Sequence, residues 1–257
     1  MTILFQFVMR LAFGLAVVMS ITSPHQVTSG FFRNHLYVTL GLCSLAALVA
    51  YHVGWPVAGG IACVAAACSY IGAVCWLYEQ PSSGRKVTVL VGAFSLAGAL
   101  IATASLKEGL LGGDLSVAAY AIGCLNPISS GLILGLTMGA MFLGHWYLNS
   151  PTMQIAPLQR LLRLMVFAII FRGLICALGL AMQLGTESTP LTAGAMFIVL
   201  RWLIGILTPL VLAWMVAKTL AIPNTQSATG ILYVAVIAIF TGELMSLLLS
   251  AGAVYPL

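Results

Sequence analysis

Apolar residues along this chain neither alternate nor recur on one helical face. They continue in stretches of about 20, the length that crosses a bilayer as a helix, separated by short polar breaks. Eight such runs can be read, over approximately 2–21, 36–53, 57–78, 87–106, 130–148, 161–184, 195–219 and 230–250. The breaks carry turn chemistry: Ser23-Pro24, Gly54-Trp55-Pro56, Gln80-Pro81-Ser82-Ser83-Gly84, Gly112-Gly113-Asp114, Asn149-Ser150-Pro151, Glu187-Ser188-Thr189-Pro190 and Pro223-Asn224. Between Asp114 and Ser130 an apolar piece too short to span ends at Asn126-Pro127. It predicts a short interfacial or re-entrant helix near 115–127, leading into the fifth span. The pattern as a whole predicts an all-α polytopic transmembrane bundle of about eight spanning helices, a single domain over residues 1–257 without a soluble domain.

Composition strengthens that reading. Hydrophobic residues make up 61% of the chain and charged residues 6%, against about 25% charge in soluble domains, so a water-facing surface cannot be assembled. Lys and Arg outnumber Asp and Glu by 10 to 5, but they occur singly or in pairs. This excludes a phosphate-tracking nucleic-acid face and makes the basic residues orientation signals. The loops after the first, third, fifth and seventh runs hold Arg33, Arg85, Lys86, Arg160, Arg163 and Lys218, whereas the opposite loops offer Lys107. Because the basic excess belongs on the cytoplasmic side, the chain is expected in a bacterial inner membrane with both termini periplasmic. The first run lacks a basic start and carries Arg10 in its middle, so it reads as a retained helix rather than a signal peptide.

The six cysteines show neither C-x-x-C spacing nor a neighbouring histidine at ligand distance. They read as small buried hydrophobes, and no metal site is expected. Motifs for nucleotide binding, serine hydrolysis and zinc proteolysis are absent from the sequence. In the fifth run, Gly131-x-x-x-Gly135-x-x-x-Gly139 forms a ridge of small residues that allows another helix to approach closely.

The candidate chemistry lies in charges that hydropathy forbids: Arg10, Arg172, Arg201 and Glu243. Each costs about 2.5 to 3.5 kcal/mol at mid-bilayer, to be recovered by pairing, water or a ligand. Counting 1.5 Å per residue from the span ends places Arg201, Glu243, Arg10 and Arg172 roughly 9, 10, 12 and 18 Å below the outer face. All four therefore share the outer half. Glu243, Ser246 and Ser250 form a polar stripe on the last helix. Glu243 could pair with one arginine as a structural clamp while the others snorkel outward. Three positive charges against one negative instead favour an anionic or electron-rich guest, such as a quinone oxygen, a haem propionate, a lipid phosphate, a small anion or a partner subunit's carboxylate.

His35 and His145 lie near the inner interface at similar depth. They form the one pair able to hold a haem b, and so at most one haem. Beside Trp146, Tyr147 and Tyr37 they equally suit an interfacial aromatic belt or a docking surface for a partner subunit on the cytoplasmic face.

With eight spans, outside termini and Gly242-Glu243-Leu244 in the last helix, the chain resembles the quinol-binding membrane anchors of the dimethyl sulfoxide reductase and polysulfide reductase families. The motif covers three residues, and Leu244-Met245-Ser246 is not followed by the arginine and aromatic residues of that family. The resemblance implies quinol oxidation beside Glu243, with electrons passed to an iron-sulfur partner. On that reading Glu243 is the catalytic proton acceptor, Arg10, Arg172, Arg201 and Ser246 bind the ligand, and quinone is the cofactor. The chain would be at most a non-catalytic or quinol-oxidising subunit of a larger complex. Two readings from other classes stand beside it: a small-anion or proton-coupled transporter using the same residues, and a structural or assembly subunit with no chemistry of its own.

Overall fold

The computed structural model of the chain describes residues 1–111, 117–150, 153–186, 195–222, 224–253 and 255–257, apart from the side chains of 106–111, 118 and 186. Among the described residues there is no strand. The helices are α1 (Thr2–Ile21), α2 (Ser29–Val53), α3 (Pro56–Leu77), α4 (Pro81–Leu111), α5 (Val117–Asn149), α6 (Ala156–Thr186), α7 (Ala195–Trp202), α8 (Thr208–Ala221) and α9 (Thr225–Leu249). A π-helical turn, Leu203–Leu207, joins α7 to α8 as one crossing, and a 3-10 turn, Ser250–Gly252, follows α9. Among the described residues, eight crossings are long and apolar enough to span a bilayer. The chain is a multi-pass integral membrane protein.

Each expected run contains a helix, and most helices extend beyond their apolar window. Helix formation does not stop where hydropathy falls: the polar starts Ser29–His35 and Pro81–Lys86 are helical, the latter begun by a proline whose missing N–H costs nothing in a first turn. The short separate helix expected near 115–127 is not observed from Val117 onward. Residues 117–127 form the first turns of α5, which runs through Pro127. Proline removes one backbone hydrogen bond and bends a helix, and a transmembrane helix survives this where neighbouring groups satisfy the freed backbone. The breaks expected at 112–114, 187–190, Pro151 and Pro223 lie outside the described residues.

The connections over 22–28, 54–55 and 78–80 are too short to return the chain along a helix of 20 or more residues, so successive helices run antiparallel. Alternate helices are therefore parallel, and the α1–α5 contact shows it. Along α1, Phe13, Gly14 and Val18 meet Gly131, Gly135 and Gly139 in ascending order. α1 and α5 are the most enclosed crossings. Arg33, Arg85, Lys86, Arg160, Arg163 and Lys218 consequently gather at one end of the bundle. Large apolar side chains such as Leu48, Val57, Phe167, Leu174 and Ile237 are exposed around its circumference, as a lipid-facing surface requires.

Candidate functional site

Arg172 comes from the middle of α6 and is fully buried. Burial of a guanidinium demands acceptors for its donors, and two other helices supply them. Nε donates to Oε1 of Glu243 on α9 at 2.8 Å. Nη1 donates to Oδ1 of Asn126 at 2.7 Å and to Ser129 Oγ at 3.2 Å, both on α5. The same nitrogen reaches the Asn126 carbonyl at 3.4 Å, in the turn that holds Pro127. Nη2 donates to Ser246 Oγ on α9 at 3.1 Å. All three nitrogens are occupied.

Arg201 lies in the last turn of α7, just before the π-helical turn, and is also fully buried. It approaches the same Glu243 oxygen, but only to 3.8 Å. Its Nη2 donates to Cys176 Sγ at 2.8 Å, a weak acceptor, and its guanidinium carbon stands 5.3 Å from the Trp202 ring centre. One turn on, Gly205 packs on Gly242, where a Cβ would lie 2.8 Å from the Gly242 Cα. That backbone contact holds the π turn against the residue preceding Glu243. π turns interrupt helices preferentially at functional positions.

Arg10 occupies a separate bay between α1 and α4. Its Nη2 donates to Gln6 Oε1 at 2.7 Å and to Thr103 Oγ1 at 3.5 Å, and Gln6 in turn donates to the Ala102 carbonyl at 3.4 Å. Arg10 makes no direct bond to the other charges, yet it is close enough to interact electrostatically with both Arg172 and Glu243. Arg172, Arg201 and Glu243 are thus one ion-pair group, with Arg10 in its own bay beside it, and the four charges carry an excess of two positive.

The satisfaction of these groups is uneven. Nε and Nη1 of Arg10, Nε and Nη1 of Arg201, Oε2 of Glu243 and Ser130 Oγ are buried without a hydrogen-bond partner among the described residues. Ser130 lies beside the Glu243 carboxylate. Unpaired charged atoms in a low-dielectric interior are costly, so the cluster leaves hydrogen-bonding capacity unused.

The segment 255–257 folds back against this cluster. The Tyr255 N–H donates to Gln183 Oε1 at 3.1 Å, and the Leu257 N–H donates to Ser250 Oγ at 3.0 Å. Ser246 donates to the Leu257 carbonyl at 2.5 Å. The Ser246–Ser250 part of the expected polar stripe therefore binds this segment, while Ser246 also receives Arg172.

The two histidines stand in different surroundings. His35 is buried, with Nδ1 2.5 Å from the Phe31 carbonyl and its ring against Phe31 and Phe142. His145 is exposed and its ring faces Tyr233. No group of three or more His, Cys, Asp or Glu side chains among the described residues could hold a metal.

Asn126, Ser129, Ser130, Gln6, Thr103 and Cys176 complete the site beyond the residues expected from sequence. Asn126, Ser129 and Ser130 stand at i, i+3 and i+4, a polar face on an otherwise apolar helix, and that spacing is the signal that could have found them. No protein-family model matches the chain, and no curated protein or solved structure shows significant similarity to it.

Proposed function

We propose that the protein binds an electron-rich or anionic guest at the Arg10–Arg172–Arg201–Glu243 cluster, and that the guest is the head group of a quinone, as in a quinol-interacting anchor subunit of a membrane redox complex. The observation that carries this reading is the set of buried arginine donors without protein partners, two nitrogens on Arg10 and two on Arg201. A quinone oxygen accepts from them, and Glu243 Oε2, without a hydrogen-bond partner among the described residues, takes the proton. Arg172, saturated by protein groups, holds Glu243 in place rather than binding the guest. An apolar groove of about 450 Å³ supports a guest with a hydrocarbon tail. It is lined by Phe197, Met245, Leu248 and Leu249, on the same two crossings as Arg201 and Glu243. Electrons from quinol would leave to a partner subunit at the cytoplasmic face.

A second reading is favoured by a specific observation. Two helix-disturbing features, Pro127 inside α5 and the π turn after Arg201, sit at the cluster, and interrupted helices line the ion sites of transporters. Here the guest is a small anion that crosses.

Thermal unfolding of the purified protein in mild detergent, with a short-chain quinone analogue or with nitrate added, separates the two. The quinone reading expects the analogue to raise the midpoint of the wild type and not of Arg201→Met. A shift with nitrate alone supports transport; no shift with either leaves both without support.

The orientation proposed for this function places the basic end of the bundle in the cytoplasm and both termini in the periplasm. With Ser83→Cys and His52→Cys introduced separately, an impermeant thiol reagent applied from the periplasm should modify only the latter. Modification of Ser83→Cys from that side would reverse the orientation.

A further inference from the structure

A second polar feature lies at the basic end of the bundle, away from the charged cluster. An open cleft of about 690 Å³ is bounded by the end of α1, the 22–28 connection, and the turn between α3 and α4. Arg85, Lys86 and His25 line it, with Glu79 the acidic residue on its wall. Neither Arg85 nor Lys86 is ion-paired among the described residues, so the cleft is net positive.

Two helices start at this cleft. Ser29 opens α2, of 25 residues, and Ser82 lies in the first turn of α4, of 31 residues. Helix starts carry free N–H groups and partial positive charge. At α2 the natural cap is unavailable, because Thr28 makes no side-chain cap bond and its Oγ1 instead accepts from Trp146 Nε1 at 3.0 Å. At α4, Pro81 occupies the first position. Arg85 is anchored to the other wall by two bonds from Nε and Nη2 to the Ser20 carbonyl, at 3.0 and 2.7 Å.

Trp76 adds an independent sign of a ligand. It is 4% exposed, lines the cleft, and is held by stacking on Phe32 at 4.1 Å between ring centres. Its Nε1 has no hydrogen-bond partner among the described residues. That nitrogen reaches the first turn of α4 only because residue 84 is glycine, where a Cβ would lie 2.7 Å away. An unpaired indole N–H, two helix starts and two cations around one opening are a set of donors that lacks an acceptor.

We propose that this cleft binds a phosphate group, from a phospholipid head or a soluble phosphate, with Lys86 and Arg85 supplying charge and the α2 and α4 starts and Trp76 Nε1 supplying hydrogen bonds. Val89, also on the wall and half exposed, gives a lipid's acyl chain an apolar path. The inference does not depend on the quinone reading, since the two sites share no residue.

The test titrates purified protein in maltoside detergent with short-chain phosphatidylglycerol, with the matching diacylglycerol lacking phosphate, and with inorganic phosphate against chloride at equal ionic strength, reading the unfolding midpoint. Phosphatidylglycerol should stabilise and diacylglycerol should not; stabilisation by inorganic phosphate as well identifies a soluble source as sufficient. Lys86→Gln should weaken the response about tenfold, the size of one charge-assisted bond. Trp76→Phe keeps the stacked ring and removes the donor, and should weaken it about threefold or more. Arg163→Gln makes the same charge change at an exposed position of α6 and should leave it unaltered. Equal stabilisation by diacylglycerol, no response to either phosphate probe, or equal loss in Lys86→Gln and Arg163→Gln would overturn the proposal.

Discussion

Arg172→Met is expected to abolish most of the folded protein, whereas Arg201→Met leaves it close to wild-type stability. Both arginines are buried and both approach Oε1 of Glu243, so a count of ion pairs would rank them alike. Their surroundings do not. Arg172 spends Nε on Glu243 and its other two nitrogens on Asn126, Ser129 and Ser246, joining α5, α6 and α9. Removing it strands a buried carboxylate and several polar partners, a loss of about 3 to 5 kcal/mol. Much of a domain's net stability is of that order.

Arg201 contributes a longer contact at 3.8 Å and a bond to a thiol, while two of its nitrogens are buried without partners. Its replacement by an apolar chain of similar length removes those unpaired donors and leaves Glu243 bonded to Arg172. The net change should fall within about 1 kcal/mol. Thermal unfolding and the monodisperse yield in detergent measure both. In addition, Glu243→Leu should partly rescue Arg172→Met, since the two changes together remove the stranded charge. Equal damage from Arg172→Met and Arg201→Met would mean that the three groups act as one unit, and the assignment of Arg172 to structure and Arg201 to ligand would fail. Because Arg201→Met keeps the fold, its effect on quinone-analogue binding can be read without a stability artefact.

The four charges were legible in the sequence because each interrupts an apolar run, the strongest contrast hydropathy offers. Which arginine meets Glu243 was not. The count from span ends set Arg172 about 8 Å deeper than Glu243, yet they are in contact. Such counting assumes that all helices end at one height, but α6 extends to Thr186 and α9 stops at Leu249, and only packing fixes their relative rise. Asn126, Ser129 and Ser130 were hidden for another reason. Neutral polar side chains barely alter the mean hydropathy of a run, and Asn126-Pro127 carries the same signature as a helix end. Its place inside α5 has no local signature, and the group that Asn126 meets, Arg172, comes from a helix more than 40 residues away. Residues 255–257 were similarly silent, since their order comes from Gln183 and Ser250 rather than from local pattern.

The glycine ridge of α5 was readable as a packing surface but not as the one that positions Arg10, and this gives the second large effect. Gly135→Ala should lower the yield of folded protein sharply and Gly135→Val should abolish it. A Cβ on residue 135 would overlap the backbone of Gly14, and one on Gly14 would lie 2.7 Å from the Gly135 Cα. Backbone cannot rotate away as a side chain can, so α1 and α5 must separate along an enclosed interface and lose contacts on both sides. Ordinary overpacking costs about 1 to 3 kcal/mol, and a backbone clash lies at or above the top of that range. At Gly139 the clash is with the side chain of Val18, at 2.5 Å, and not with backbone, so Gly139→Ala should be milder, although a helical valine has little rotamer freedom. At Gly123 on the same helix nothing lies within 4 Å. There alanine should be neutral or stabilising by up to about 1 kcal/mol through helix propensity. Unfolding midpoints for the three alanine variants should therefore fall in the order Gly123, Gly139, Gly135. The Arg10 carbonyl lies against Gly131 in the same ridge, 2.8 Å from where its Cβ would be. Any separation of α1 from α5 accordingly carries Arg10 away from Arg172 and Glu243. Such Gly135→Ala protein as survives should bind the quinone analogue more weakly, and a variant of wild-type stability would show that α1 and α5 do not meet at these glycines.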